Sequence, residues 1–75
     1  MYYVYLIQNK AAREIYIGYT NDLGRRFKEH ENKKPELIYY EAYKSEKDAR
    51  NREIKLKQHG QTKRRLKERL QHSFI

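Results

Sequence analysis

The sequence predicts a small α+β domain in which a three-stranded antiparallel sheet is flanked by three helices, in the order β-β-α-β-α-α. Three observations predict it. Two runs rich in aromatic and β-branched residues, 2–7 and 14–20, are joined by a short polar connection and read as a hairpin. Two later segments carry helix start signals followed by apolar residues at helical spacing. A three-stranded sheet cannot cover itself, so helices must pack on it.

Side chains alternate between the faces of a strand. Val4 and Leu6 share one face of the first strand, and Ile15 and Ile17 share one face of the second. The antiparallel pairing that buries these aliphatics together puts Tyr5 and Tyr16 on the same opposite face. They lie there beside Gly18, which has no side chain to block approach. An ordinary aromatic cross-strand pair would also account for that face. The polar connection, 8–13, lacks glycine, so its tip has no diagnostic turn chemistry.

Thr20 or Asn21 can cap the next helix, and Asp22 suits its positive N-terminus. Leu23 and Phe27, four apart, form a narrow apolar stripe. Arg26 and His30, also four apart, share an adjacent face. Asp22, one turn before Arg26, offers a purely structural partner for that arginine, and His30 also reads as a surface residue near a helix end. The helix ends within 32–35. The third strand, 36–43, has two faces: Leu37, Tyr39, Glu41 and Tyr43, and Ile38, Tyr40 and Ala42. Pattern does not decide which is inside.

Ser45 is a good N-cap, with Asp48 three residues on. The second helix runs to His59, and Gly60 stops it. Its apolar residues are Ala49, Ile54 and Leu56. Glu53, four after Ala49 and three before Leu56, falls on the inward stripe. Burying a carboxylate without a partner is expensive, so Glu53 needs either an inward Arg or Lys or a metal ion. A last helix begins at Thr62, with Leu66 and Leu70 inward. The basic residues around it form a solvated face that could also touch a nucleic-acid backbone. The end of the chain, 72–75, reads as frayed.

Composition narrows the function. Seventy-five residues make one domain, 1–75, with a small core. No cysteine is present, which excludes disulfides, cysteine zinc sites and thiol nucleophiles and fits a reducing cytoplasm. No apolar run reaches membrane-spanning length and no signal-peptide core follows Met1, so the chain reads as soluble and unprocessed. The net charge is +8, from 18 Lys and Arg against 10 Asp and Glu. A charge of that size on so small a body attracts polyanions, nucleic acid first. Tyrosine supplies 8 residues against 2 Phe and no Trp; it stacks on bases and carries a titratable hydroxyl.

Taken in order, Tyr3-Val4-Tyr5, Tyr16-Ile17-Gly18, then Thr20, Asp22-Leu23, Arg26 and His30, and finally Glu53 within Ala49–Lys57, make the chain resemble a GIY-YIG nuclease domain. The resemblance runs from Tyr2 to about Leu70 and is greatest to the small stand-alone branch of the superfamily. It implies a small antiparallel three-stranded sheet surrounded by helices. By resemblance Tyr5 and Tyr16 are the motif tyrosines, Arg26 the catalytic arginine, His30 the helix residue near the attacking water or phosphate, and Glu53 the ligand of a single metal. Tyr3 replaces the glycine of the first motif. Tyr19 stands where some repair nucleases carry a lysine that would help lower a phenol pKa. The asparagine that follows the metal helix in the repair branch is not recognisable, and no extra DNA-binding domain is present.

The expected activity is that of a metal-dependent DNA endonuclease working with one Mg²⁺ or Mn²⁺, in repair, recombination or mobile-element processes. Arg26 would stabilise charge on a non-bridging oxygen. Tyr16 is the preferred group to deprotonate or orient the water, with Tyr5 or His30 as alternatives. An unperturbed phenol titrates near ~10, so a nearby cation must lower it. The expected partner is DNA, with RNA as a further candidate and no membrane. Two other readings stay open: a non-catalytic nucleic-acid-binding module of the same fold, and a subunit of a larger complex.

Overall fold

The computed structural model describes residues 1–9, 14–29 and 35–74. Strands β1 (Tyr2–Asn9), β2 (Ile15–Thr20) and β3 (Pro35–Tyr43) form one antiparallel sheet in the order β2-β1-β3. Helices α1 (Leu23–Glu29), α2 (Glu46–Gln58) and α3 (Gly60–Arg69) complete the order β-β-α-β-α-α.

The aliphatic pairing sets the register. Leu6 lies opposite Ile17, Gln8 opposite Ile15 and Val4 opposite Tyr19. This face meets α2 and α3, and Val4, Leu6, Ala49, Leu56 and Leu66 form the buried core. Tyr5 opposite Gly18, and Ile7 opposite Tyr16, occupy the other face.

The third strand cannot be read by alternation because it is bulged. The register slips between Leu6 and Ile7, so that Ile7 faces Leu37 and Leu6 faces Tyr39. Ile38 is the extra residue, and it packs against the core. Leu37 therefore leaves the face of Tyr39, Glu41 and Tyr43, which stays with the helices.

Other boundaries differ from expectation. β1 extends two residues beyond Ile7, and the backbone N–H of Asn9 donates to Glu14 O at 2.8 Å. Residues 10–13, where the hairpin tip was expected, lie outside the described residues, as does most of the expected end of α1. Asp22, rather than Thr20 or Asn21, caps α1: its Oδ1 accepts from Arg25 N at 3.0 Å. The Thr20 hydroxyl instead accepts from Asp22 N at 3.0 Å and fixes the turn.

Ser45 caps α2 by accepting from Asp48 N at 3.4 Å. Gly60 does not end α2. The break falls at His59, in extended backbone (φ −106°, ψ 97°), and α3 starts at Gly60 rather than Thr62. Ile54 lies off the core stripe and is 48% exposed. The expected frayed end is partly ordered: Ser73 N donates to Leu70 O at 2.8 Å, and Phe74 packs against the core.

Candidate active site

Tyr5 is seated by the absence of a side chain at Gly18. An added Cβ on Gly18 would lie 2.9 Å from Tyr5 Cε1 and closer still to Cζ and the hydroxyl oxygen. The phenol thus lies flat across the glycine of the neighbouring strand, and Tyr5 is only 6% exposed. Glycine is needed here for space, since any Cβ would displace the ring.

The tight turn after Thr20 brings α1 in at once. Arg26, on the second turn of α1, donates from Nη1 to Glu29 Oε2 at 2.9 Å. It does not pair with Asp22, whose carboxylate is used as the helix cap. Although the Arg26 side chain is 42% exposed, its Nε is buried and has no hydrogen-bond partner among the described residues. A buried guanidinium N–H without an acceptor is costly, and an anionic oxygen would satisfy it.

Glu53 lies on α2 between Ala49 and Leu56, as its spacing required. Its side chain is 18% exposed and its Oε2 accepts from Lys57 Nζ at 3.0 Å. The structure thus supplies one of the expected partners, a lysine one turn on, itself about half exposed. Among the described residues no group of three or more His, Asp or Glu could hold a metal.

Tyr5, Arg26 and Glu53 share one electrostatic neighbourhood. Burial pushes the Tyr5 phenol above its ordinary value. Arg26 opposes that rise, while the carboxylates of Glu53 and Glu29 add to it. α2 packs on the aliphatic side of the sheet, opposite the face that carries Tyr5.

Tyr16 shares the face of Tyr5, but its hydroxyl donates to Glu14 Oε2 at 2.5 Å. That bond, with burial and the carboxylate charge, raises its pKa. The cation expected to lower a phenol therefore acts on Tyr5 and not on Tyr16. His30 lies outside the described residues.

Tyr19 cannot stand in for a lysine beside Tyr5, because it points to the helix side. Its ring stacks with Tyr2 at 6.3 Å between centroids, its hydroxyl donates to Glu46 Oε2 at 2.7 Å, and Arg50 lies over the ring at 4.5 Å. This brings Arg50 next to Arg25 and Arg26 in a cleft of about 290 Å³. Sequence reading passed over Arg25 and Arg50. The available signal was Tyr19, which shares its strand face with Ile17 and so had to meet the N-terminal half of α2.

A second polar cluster was also missed. Glu41 accepts from Arg52 Nε at 3.0 Å and Nη2 at 3.1 Å, from the Tyr39 hydroxyl at 2.6 Å, and from the Tyr43 hydroxyl. Burial raises the Glu41 pKa, but the bonds from Arg52 and the two tyrosines outweigh it and hold the carboxyl below the usual range. Burial and the Glu41 bond push Tyr43 up to about 12. The sequence signal was an acid two residues from a tyrosine on each side, which puts all three on one strand face. The cluster ties β3 to α2.

A family model described as the GIY-YIG catalytic domain matches residues 1–69. Neither a search of curated proteins nor a search of solved structures returned a match.

Proposed function

Because this chain belongs to the GIY-YIG family and has its nuclease-type fold, we propose that it is a metal-dependent DNA endonuclease that hydrolyses phosphodiester bonds with one divalent cation. The observation that supports this reading is the buried Arg26 Nε, left open for an anion among the described residues, on a residue whose charge acts on the Tyr5 phenol together with that of Glu53. DNA is preferred to RNA as substrate, and repair, recombination or mobile-element processing as the setting.

A lone carboxylate fits a hard cation such as Mg²⁺ or Mn²⁺, which keeps most of its waters and takes further ligands from substrate phosphates. Glu53 would hold it, after Lys57 swings into solvent from its 3.0 Å pair. A cation bound there supplies Lewis-acid charge to the phosphoryl and leaving oxygens.

The remaining roles belong to the chain's own side chains. Arg26 presents Nε and its outer nitrogens to a non-bridging oxygen, where negative charge grows as water attacks. Tyr5 keeps its proton in the resting protein and orients the attacking water through its hydroxyl oxygen. Arg26 is the neighbour that favours release of that proton. Tyr16, preferred from sequence alone, is the weaker candidate, because its hydroxyl is engaged by Glu14. His30 keeps its proposed place near the water or phosphate.

The test is incubation of the wild type and Glu53→Ala with labelled single-stranded, duplex and branched DNAs, with Mg²⁺, with Mn²⁺ or with chelator. Wild type cleaves at least one substrate only with metal, and the variant cleaves none while still binding. Absence of cleavage by the wild type on every substrate overturns the enzyme reading. It would favour a binding module, for which the Glu53–Lys57 pair is a permanent structural contact and DNA affinity is independent of Glu53.

A further inference from the structure

A second cationic site lies between α2 and α3, outside the machinery above. Arg52 of α2 and Thr62, Arg65, Leu66 and Arg69 of α3 line a cleft of about 280 Å³. Arg65 and Arg69 stand one turn apart on α3, so their side chains are neighbours. Arg52 is adjacent in sequence to Glu53, but successive helix residues point about 100° apart. Glu53 turns to Lys57, whereas Arg52 turns to Glu41 of β3.

The charges around this cleft do not balance. Glu41 answers only Arg52, through Nε and Nη2. Arg65 and Arg69 make no ion pair among the described residues, although Glu68 lies on the same helix. Three guanidiniums around one opening repel one another, and each prefers a planar, bidentate oxyanion. The volume admits a phosphate group with several waters, each taking about 30 Å³.

We propose that this cleft seats a backbone phosphate of bound nucleic acid, other than the one that is cleaved, with Arg65 and Arg69 as the clamp and Arg52 fixed behind them by Glu41. The inference rests on the reading that the substrate is nucleic acid, and it assigns α3 a role in gripping that substrate.

Binding of a labelled duplex to the full chain, followed by fluorescence anisotropy in chelator across a salt series, tests it. Each phosphate contact contributes about 0.9 to the slope of log affinity against log salt. If Arg65 and Arg69 share one phosphate, Arg65→Gln and Arg69→Gln each weaken binding, and the double variant loses about one contact. That is a slope reduction of about 0.9 and roughly five-fold in affinity at about 0.15 M salt. The control is Arg64→Gln with Lys67→Gln, which removes the same charge from the same helix outside the cleft and should change the slope by less than half as much.

In parallel, inorganic phosphate titrated into ¹⁵N-labelled protein should shift the Arg52 side-chain and Thr62 backbone resonances of the cleft lining, and those shifts should vanish in the double variant. A control pair that weakens DNA binding as much as the cleft pair overturns the inference and leaves the nuclease reading intact, as does DNA binding insensitive to both. A wild type that binds no nucleic acid overturns the inference together with the reading beneath it.

Discussion

Replacing Gly18 with alanine tests how the Tyr5 phenol is held. The added methyl would overlap the end of the Tyr5 ring, which is buried and cannot swing into solvent cheaply. Forcing an extra methyl into a packed site costs about 1–3 kcal/mol. Alanine returns roughly 0.5–1 kcal/mol of that, because glycine in a strand interior loses more backbone entropy on folding. The net effect in the wild-type background is a loss of about 0–2.5 kcal/mol. A loss of 1 kcal/mol lowers Tm by about 4–8 °C in a domain of this size.

The sign should reverse when the ring is gone. Tyr5→Val keeps a strand-forming side chain that does not reach Gly18, and in that background Gly18→Ala should stabilise by roughly 0.5–1 kcal/mol. Urea denaturation of the four proteins gives the coupling energy, expected near ~1–3 kcal/mol. Equal effects of Gly18→Ala in both backgrounds would mean that the phenol does not rest on the glycine, and the proposed role of Tyr5 would lose its basis.

Glu41→Gln should cost roughly 2–4 kcal/mol, since it removes the charge that Arg52, Tyr39 and Tyr43 all bond to. The folded Glu41 pKa is depressed, so its contribution is fully present above the unfolded carboxylate value and is lost as pH falls through the folded one. The variant should therefore lose less stability than wild type when acid titrations are carried below about pH 4.3; parallel acid limbs would refute this. Lys57→Ala should free Glu53 and lower the Mg²⁺ concentration for half-maximal cleavage by about two- to five-fold, the worth of an exposed ion pair. An unchanged metal requirement would show that Lys57 does not compete for the carboxylate.

Much of the sheet and core was legible because alternation in β1 and β2 is clean. Val4, Leu6, Ile15 and Ile17 dictated a pairing that left Tyr5 and Tyr16 on the opposite face, with Gly18 under Tyr5. Glu53 was legible as an inward acid from its distances to Ala49 and Leu56. β3 was not legible, because the bulge at Ile38 breaks the period on which face assignment depends. Gly60 misled because glycine ends a helix through left-handed backbone, and this break uses extended backbone at His59 instead. The bond from the Tyr16 hydroxyl to Glu14 was beyond sequence, because alternation places both phenols on one face without showing which acceptor each one finds. Arg65 and Arg69 read as solvated charge, because pattern does not reveal that Arg52 meets them across a cleft.

Single-turnover cleavage by Arg26→Ala, Glu53→Ala and the double variant is the most direct test of whether these groups act on one phosphate. Each single change should lower the rate by at least ~10²-fold, and the double should be little slower than the worse single, because groups acting as a unit are not additive. Losses that multiply in the double variant would place the guanidinium and the carboxylate in separate tasks. Cleavage that survives both changes would remove this site from the chemistry.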